Sequence, residues 1–221
     1  MSQTPSVAII DYGSGNLRSA EKAVLRCLQD RGLDRTVVVT SCPDVVALAD
    51  HIILPGVGAY GDCIAGLMAL DGMVDCLEQV VISEGRPFLG ICVGMQLLAT
   101  EGHEHGIHKG LNWIPGVVRP LNIAAGDGLK VPHMGWNQIV IADDHKAHPV
   151  LSGIEDGDHV YFVHSYHFDC GDPGQVLAQT EYGSQVTAMI GRDNIVGTQF
   201  HPEKSQRVGL QMIGNFLSWR P

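Results

Sequence analysis

Positive charge is scarce in this sequence and is nowhere gathered. Of 221 residues, 14 are Lys or Arg and 24 are Asp or Glu, a net charge of −10. Without a basic run the chain lacks the electrostatic footprint of a nucleic-acid binder and the polybasic patch of a membrane-surface protein. Long apolar runs are missing too. The longest weakly charged stretch, residues 51–70, is broken by Pro55, Asp62 and the glycines Gly56, Gly58, Gly61 and Gly66, so it reads as strand, loop and helix start. No basic segment precedes the apolar run Val7–Ile10, which Asp11 cuts short, and no secretory signal is expected. The six cysteines (Cys27, Cys42, Cys63, Cys76, Cys92 and Cys170) form no C-x-x-C pair and no dense framework. That excludes a disulfide-stapled scaffold and points to a reduced, cytoplasmic setting. A Walker A sequence is absent. Gly13-Ser14-Gly15 is followed by Arg18 where a dinucleotide fingerprint needs glycine.

Glycine and apolar residues are plentiful. The 27 glycines are about 12% of the chain, against a typical usage of about 7%. They are dispersed, which implies tight turns and close backbone approaches rather than disorder. With 45% hydrophobic residues and no internal repeat, low-complexity segment or linker, residues 1–221 read as a single domain. A chain of this length buries roughly 70% or more of its unfolded surface and needs no staples.

Along the first half, strand and helix signals alternate. Val7–Ile10, Thr36–Thr40, Ile52–Leu54 and Pro87–Ile91 read as buried strands. Between them, Leu17, Ala20, Val24, Leu25 and Leu28 recur at helical spacing up to Gly32, as do Met73, Val74, Leu77, Val80 and Val81 after Gly72. Repeated β-α units imply a parallel sheet covered by helices on both faces. In the second half Val117–Leu121, Gln138–Ile141, Tyr161–His164, Val176–Thr180, Thr187–Ile190 and Ile195–Phe200 read as strands, some antiparallel. A last helix carries Met212, Ile213, Phe216 and Leu217, with Ser205 as its N-cap. The expected fold is one three-layer α/β domain with a mostly parallel, partly mixed central sheet.

The chemistry concentrates in three short segments. Cys92 ends a buried strand as Gly90-Ile91-Cys92-Val93-Gly94, the form of a G-x-S-x-G nucleophile elbow with sulfur in place of oxygen. The two glycines would permit a sharp strand-to-helix turn. The helix start would favour a thiolate and offer the Val93 N–H to an oxyanion. A buried structural cysteine is the plainer alternative. In Phe200-His201-Pro202-Glu203, residues two apart in an extended segment point the same way. Glu203 would then hold one nitrogen of His201 while the other faces Cys92. Alone, that segment would read as a solvated turn. Pro55-Gly56-Val57-Gly58 follows the third strand, and its N–H groups would converge on a negative charge; an ordinary strand-to-helix loop fits it as well. His103, His105 and His108 lie in a polar segment that reads as a solvated connector, with no fourth metal ligand in sight.

Gly-Ile-Cys-Val-Gly-Met-Gln from Gly90, with a late His-Pro-Glu, resembles the class I, or triad, glutamine amidotransferases. Five further segments narrow the likeness: Asp11–Ser19, Leu54–Ala59, Val131–Asn137, Phe162–Tyr166 and Gly197–Ser205. Together they are similar to the glutaminase subunits of imidazole glycerol phosphate synthase over residues 6–218. Departures are small: His167 stands where an aromatic is common, and 143–158 is a variable connector. The resemblance implies a flavodoxin-like fold and a Cys92–His201–Glu203 triad that hydrolyses glutamine. It implies oxyanion donors at Gly56, Val57, Gly58 and Val93, with the loop at 56–58 acting as a partner-dependent switch. Gln96, Ser165 and Tyr166 would contact glutamine. Asn16 and the segment Pro132, His133, Met134, Trp136 and Asn137 would lie toward a (β/α)8-barrel cyclase partner and the mouth of an ammonia tunnel. No cofactor or metal is implied.

Rival readings are weaker. The glutaminase subunit of pyridoxal phosphate synthase carries a Gly-Gly-Glu-Ser segment that is absent here. An amidotransferase with its own acceptor domain is not expected, since 18 residues follow Glu203. A catalytically silent binding module, or a partner-free hydrolase of γ-glutamyl bonds, would have to be told apart by activity.

Overall fold

Four apolar runs of the first half pair in parallel: β1 (Val7–Ile10), β2 (Val37–Thr40), β3 (His51–Gly56) and β4 (Phe88–Cys92). In the computed structural model, which describes residues 7–124 and 128–221, their order is β2-β1-β3-β4. β1, β3 and β4 are buried at every residue, as strands covered on both faces must be, whereas the edge strand β2 is half-buried throughout. The steps from β1 to β2 and from β3 to β4 run in opposite directions across the sheet. Right-handed crossovers therefore send their helices to opposite faces. Helix α1 (Leu17–Asp30) packs with the C-terminal helix Gln206–Ser218, while Tyr60–Met68 packs with Met73–Leu77 and Val93–Gln96. The three-layer arrangement is as expected.

Ile195–Thr198 adds a fifth parallel strand beside β4, and Gln185–Arg192, Val176–Glu181 and Val140–Ile141 continue the sheet antiparallel. The other strands of the second half do not join it. His133–Gln138 pairs with His159–His164, and Tyr166–Cys170, Gly116–Pro120, Glu101–Gly102 and His108–Lys109 form a third sheet. Residues 159–164 alternate accessible and buried positions, and of 133–138 only His133 is buried, the pattern of antiparallel strands with one wet face.

Three local expectations are corrected. The apolar stripe at 73–81 is α-helical only to Leu77 and continues as a π-helical turn, Glu78–Ser83. Ser205 stands at the N-cap of the last helix, as expected, but its hydroxyl makes no capping bond. Its hydroxyl instead donates to the His201 carbonyl at 2.7 Å and accepts the Tyr161 N–H at 2.9 Å. The sheet strand itself ends at Thr198, short of Phe200, and the chain crosses so that the His201 N–H donates to the Tyr161 carbonyl at 2.9 Å.

One contiguous core joins the layers, with Phe88, Phe162, Phe168, Phe200 and Phe216 fully buried. The C-terminal helix is fastened through buried Asn215, whose amide donates to the Val150 and Ser152 carbonyls and accepts from Arg31. Gly209 of the same helix lies against the carbonyl of Pro202, leaving no space for a Cβ. Gly209→Ala must push the helix off the 202–204 turn. The expected loss is about 1–3 kcal/mol of unfolding free energy, measured as a lower urea midpoint at an unchanged m-value.

Candidate active site

β4 ends at Cys92 and the helix Val93–Gln96 begins at the next residue, so the chain reverses within a single residue. Cys92 takes φ 54° and ψ −111°, a conformation L residues rarely adopt and that stores roughly 1–3 kcal/mol of strain. Backbone packing enforces it. Register sets Gly56 of β3 opposite Cys92. A Cβ on Gly56 would lie 2.6 Å from both the Gly94 nitrogen and the Tyr12 hydroxyl. One on Gly94 would strike the Leu54 carbonyl, and one on Gly90 would sit 2.6 Å from the Gly94 carbonyl oxygen. The flanking glycines permit the sharp turn because no side chain fits beside them, while the positive φ falls on Cys92 itself.

Glu203 reaches His201 by a different route from the one anticipated. Pro202–Lys204 is a 3-10 turn rather than an extended segment, and it brings Glu203 Oε1 to 2.8 Å from His201 Nδ1. Both side chains are 2% exposed. His201 Nε2 is buried without a hydrogen-bond partner of standard geometry. Burial opposes a charge on the ring, but interaction with Cys92 and with Glu203 outweighs it and raises the His201 pKa to about 9.

Cys92 and His201 line one cavity of about 310 Å³. Val57, Gly58, Val93, Gln96, Ser165 and Tyr166 line it as well, so most of the anticipated site is brought together; Gly56 and Glu203 stand just behind its wall. The Cys63 thiol donates to the Val57 carbonyl at 3.4 Å. The Gly58 N–H, anti to that carbonyl across a planar peptide, therefore points away from Cys63.

The family model for "Glutamine amidotransferase class-I" matches residues 8–218. Imidazole glycerol phosphate synthase subunit HisH of Rhodospirillum rubrum is 57% identical over 97% of this chain and 99% of its own length. HisH of Ruegeria pomeroyi is also 57% identical, with the same coverage. The chain belongs to the class-I glutamine amidotransferases, among the HisH subunits. Solved structures share the fold at low identity. A crystal structure of a glutamine amidotransferase superposes with TM-score 0.65 at 18% identity, covering 95% of this chain and 99% of that one. The glutaminase domain of Trypanosoma brucei CTPS gives 0.64 at 15%, covering 97% and 92%.

In this amidotransferase the cavity wall also holds residues that local sequence reading passed over. Glu104, His164 and Lys204 line it, and Pro132, expected toward the tunnel mouth, lines it too. The segment around His103–His108 is consequently not a solvated connector throughout: Glu104 Oε2 accepts the Tyr60 N–H at 2.6 Å, and the His108 ring covers Gly61. Among the described residues no group of three or more His, Cys, Asp and Glu side chains is arranged to hold a metal. Met134, Trp136 and Asn137 line a separate surface hollow with His133, and Met134 and Trp136 are 61% and 46% exposed. Asn16 lines neither; its carbonyl accepts the first N–H groups of α1.

His133 joins the hollow to the cavity. Asn137 Nδ2 donates to His133 Nε2 at 3.3 Å, so the His133 proton sits on Nδ1, 3.0 Å from His164 Nε2. His164 in turn carries its proton on Nδ1, donating to the Tyr166 carbonyl at 2.9 Å. Both rings are neutral: burial lowers the His133 pKa to about 4 and, together with neighbouring histidines, that of His164 to about 3. A second proton on either ring would set two N–H groups against each other.

Two titrations follow from these opposite shifts. His201, raised to about 9, contributes stability that is complete below an unfolded pKa of about 6.5 and lost as pH rises through about 9. Glu203→Gln should bring the His201 ring titration down by about one pH unit or more, followed by NMR. The His133–His164 pair acts in the other direction, adding stability above about pH 6.5 that is lost as pH falls toward 4. The first proton the pair accepts costs about 3 kcal/mol. His164→Asn, which keeps a donor for the Tyr166 carbonyl, should flatten the stability loss between pH 6 and pH 4 in urea melts.

Proposed function

We propose that this chain hydrolyses glutamine to glutamate and ammonia, and hands the ammonia to a cyclase subunit that makes imidazole glycerol phosphate in histidine biosynthesis. The observation that carries the reading is Cys92 on a strained turn, sharing a cavity with a histidine whose ring Glu203 holds at 2.8 Å. Identity of 57% to HisH subunits over nearly the whole chain supports the pathway.

In this reading Cys92 Sγ attacks the side-chain amide carbon of glutamine, forming a C–S bond. The negative oxygen is met by the N–H groups of Val93 and of the loop Gly56–Gly58. His201, holding the proton that came from the thiol, gives it to the amide nitrogen as the C–N bond breaks and ammonia leaves. Water then attacks the thioester while His201 takes its proton, the C–S bond breaks, and glutamate is released. Glu203 keeps the ring oriented and its charge balanced throughout. Gln96, Ser165 and Tyr166 contact the substrate. Glu104 and Lys204 place one charge of each sign on the cavity wall, which suits the zwitterionic head of an amino acid.

The partner, a (β/α)8-barrel, would form a heterodimer by docking on the face of Met134, Trp136 and Asn137, with Asn16 toward it. Large exposed apolar side chains there support such an interface, and Pro132 and His133 lead inward from it to the cavity. A cytoplasmic setting agrees with six free cysteines. Among the described residues, no helix is long and apolar enough to cross a membrane.

Glutamate release from glutamine tests this directly, using the chain alone and then with the cyclase partner plus its nucleotide ligand. Strong stimulation in the complex is expected, with Cys92→Ala lowering turnover at least about a thousandfold. Equal activity with and without the partner would indicate a free-standing amidase. Silence in every mixture would indicate a binding module.

A further inference from the structure

Gln199 is a fully buried glutamine one strand-end away from the nucleophile, and its amide has a single consistent orientation. The orientation can be derived outward from a group that only accepts. The Tyr166 carbonyl faces Gln96 at 3.0 Å, so the Gln96 atom there is its NH2 group, Nε2. Gln96 Nε2 also lies 2.9 Å from Gln199, so the Gln199 atom facing it is the carbonyl oxygen. That leaves Gln199 Nε2 on the far side of the amide, 3.7 Å from Cys92 Sγ. The same Tyr166 carbonyl takes the His164 N–H, which is itself fixed by His133. Neither Gln96 nor Gln199 can flip without placing like groups face to face inside the protein. An amide in solution would sample both orientations, whereas this one presents its N–H to sulfur at all times.

We propose that Gln199 is a further catalytic residue of this site, whose amide N–H donates to Cys92 Sγ and holds the sulfur in its thiolate form. The inference rests on Cys92 being the nucleophile. A neutral thiol is a weak acceptor and a thiolate a strong one, so a fixed donor lowers the free energy of the ionised sulfur more than that of the protonated one. His201 receives the proton and balances the charge, while Gln199 supports the sulfur without exchanging a proton. Gln96 serves as the positioning residue of this contact as well as lining the cavity, which accounts for its burial at 3% exposure.

The test is the rate of iodoacetamide alkylation at Cys92 across pH, resolved by peptide mass spectrometry from the other cysteines. It reads the sulfur whether or not glutamine is turned over. Gln199→Met keeps the length and removes the donor; alkylation at neutral pH should slow roughly tenfold, the worth of one hydrogen bond to a charged group, and the profile should move to higher pH. Gln199→Glu, which sets a carboxylate beside the sulfur, should slow it further. Turnover of glutamine in the complex should fall in kcat with little change in KM. Alkylation rates within twofold of the parent for both variants would overturn the proposal and leave Gln199 a packing residue. If neither variant folds, Gln96→Leu frees the Gln199 amide to rotate, and the same slowing, or its absence, decides. Slowed alkylation in a chain whose parent turns over no glutamine would keep the N–H···S contact and instead refute the glutaminase reading.

Discussion

Where β3 and β4 run side by side, three backbones touch: Gly94 against the Leu54 carbonyl, Gly56 against the Gly94 nitrogen, and Gly90 against the Gly94 carbonyl. The remainder of the site depends on this approach. Because the helix after Cys92 is pressed onto the neighbouring strand, the chain has one residue in which to turn, and that residue must take a positive φ. The unfavourable backbone of Cys92 is offset by the burial of β3 and β4 on both faces. The same register carries the end of β3 and the Val57–Gly58 loop after it to the nucleophile, so sulfur and loop N–H groups are delivered by one contact. Both sit at the carboxyl ends of parallel strands, where open α/β sheets bind their ligands.

Electrostatics then separate three histidines that share one fold region. His201 has a buried carboxylate at 2.8 Å and lines one cavity with a thiol, and its pKa rises. His133 and His164 are buried against each other, Phe162 and a backbone carbonyl, with no carboxylate among their contacts, and theirs fall. Burial opposes charge in all three, so the deciding difference is the partner. One result is a charged pair for proton transfer. The other is a rigid, neutral strut beneath Tyr166, which holds Gln96 and through it Gln199.

Motifs were legible where the chemistry is local. Gly90–Gly94 encodes an elbow within five residues, and His201 and Glu203 lie two apart, so neither requires knowledge of the fold. The parallel half of the sheet was legible because strands buried on both faces are uniformly apolar. The outer sheets were not separable from the central one, since short alternating strands look alike whichever neighbour they pair with. Ser205 looked like a helix cap because its hydroxyl's true partners, His201 and Tyr161, come together only when the last strand crosses to the small sheet. Gln199 and His164 did leave a trace: Gln199 is a polar residue inside the strand run Ile195–Phe200 and His164 one at the end of Tyr161–His164, and a polar group that must be buried there needs a partner.

The sequence by itself determined the alternation of strand and helix, the nucleophile elbow, the His-Pro-Glu corner and the likeness to triad amidotransferases, because each is written in residues close together in the chain. Only the tertiary structure decided that the strain falls on Cys92 and that Glu203 reaches His201 through a turn. It alone placed Glu104 and Lys204 on the cavity wall and ordered the amides of Gln96 and Gln199. Those outcomes depend on contacts between segments more than a hundred residues apart, and on burial, which sets the cost of every unpaired charge and hydrogen bond only once the chain has closed around them.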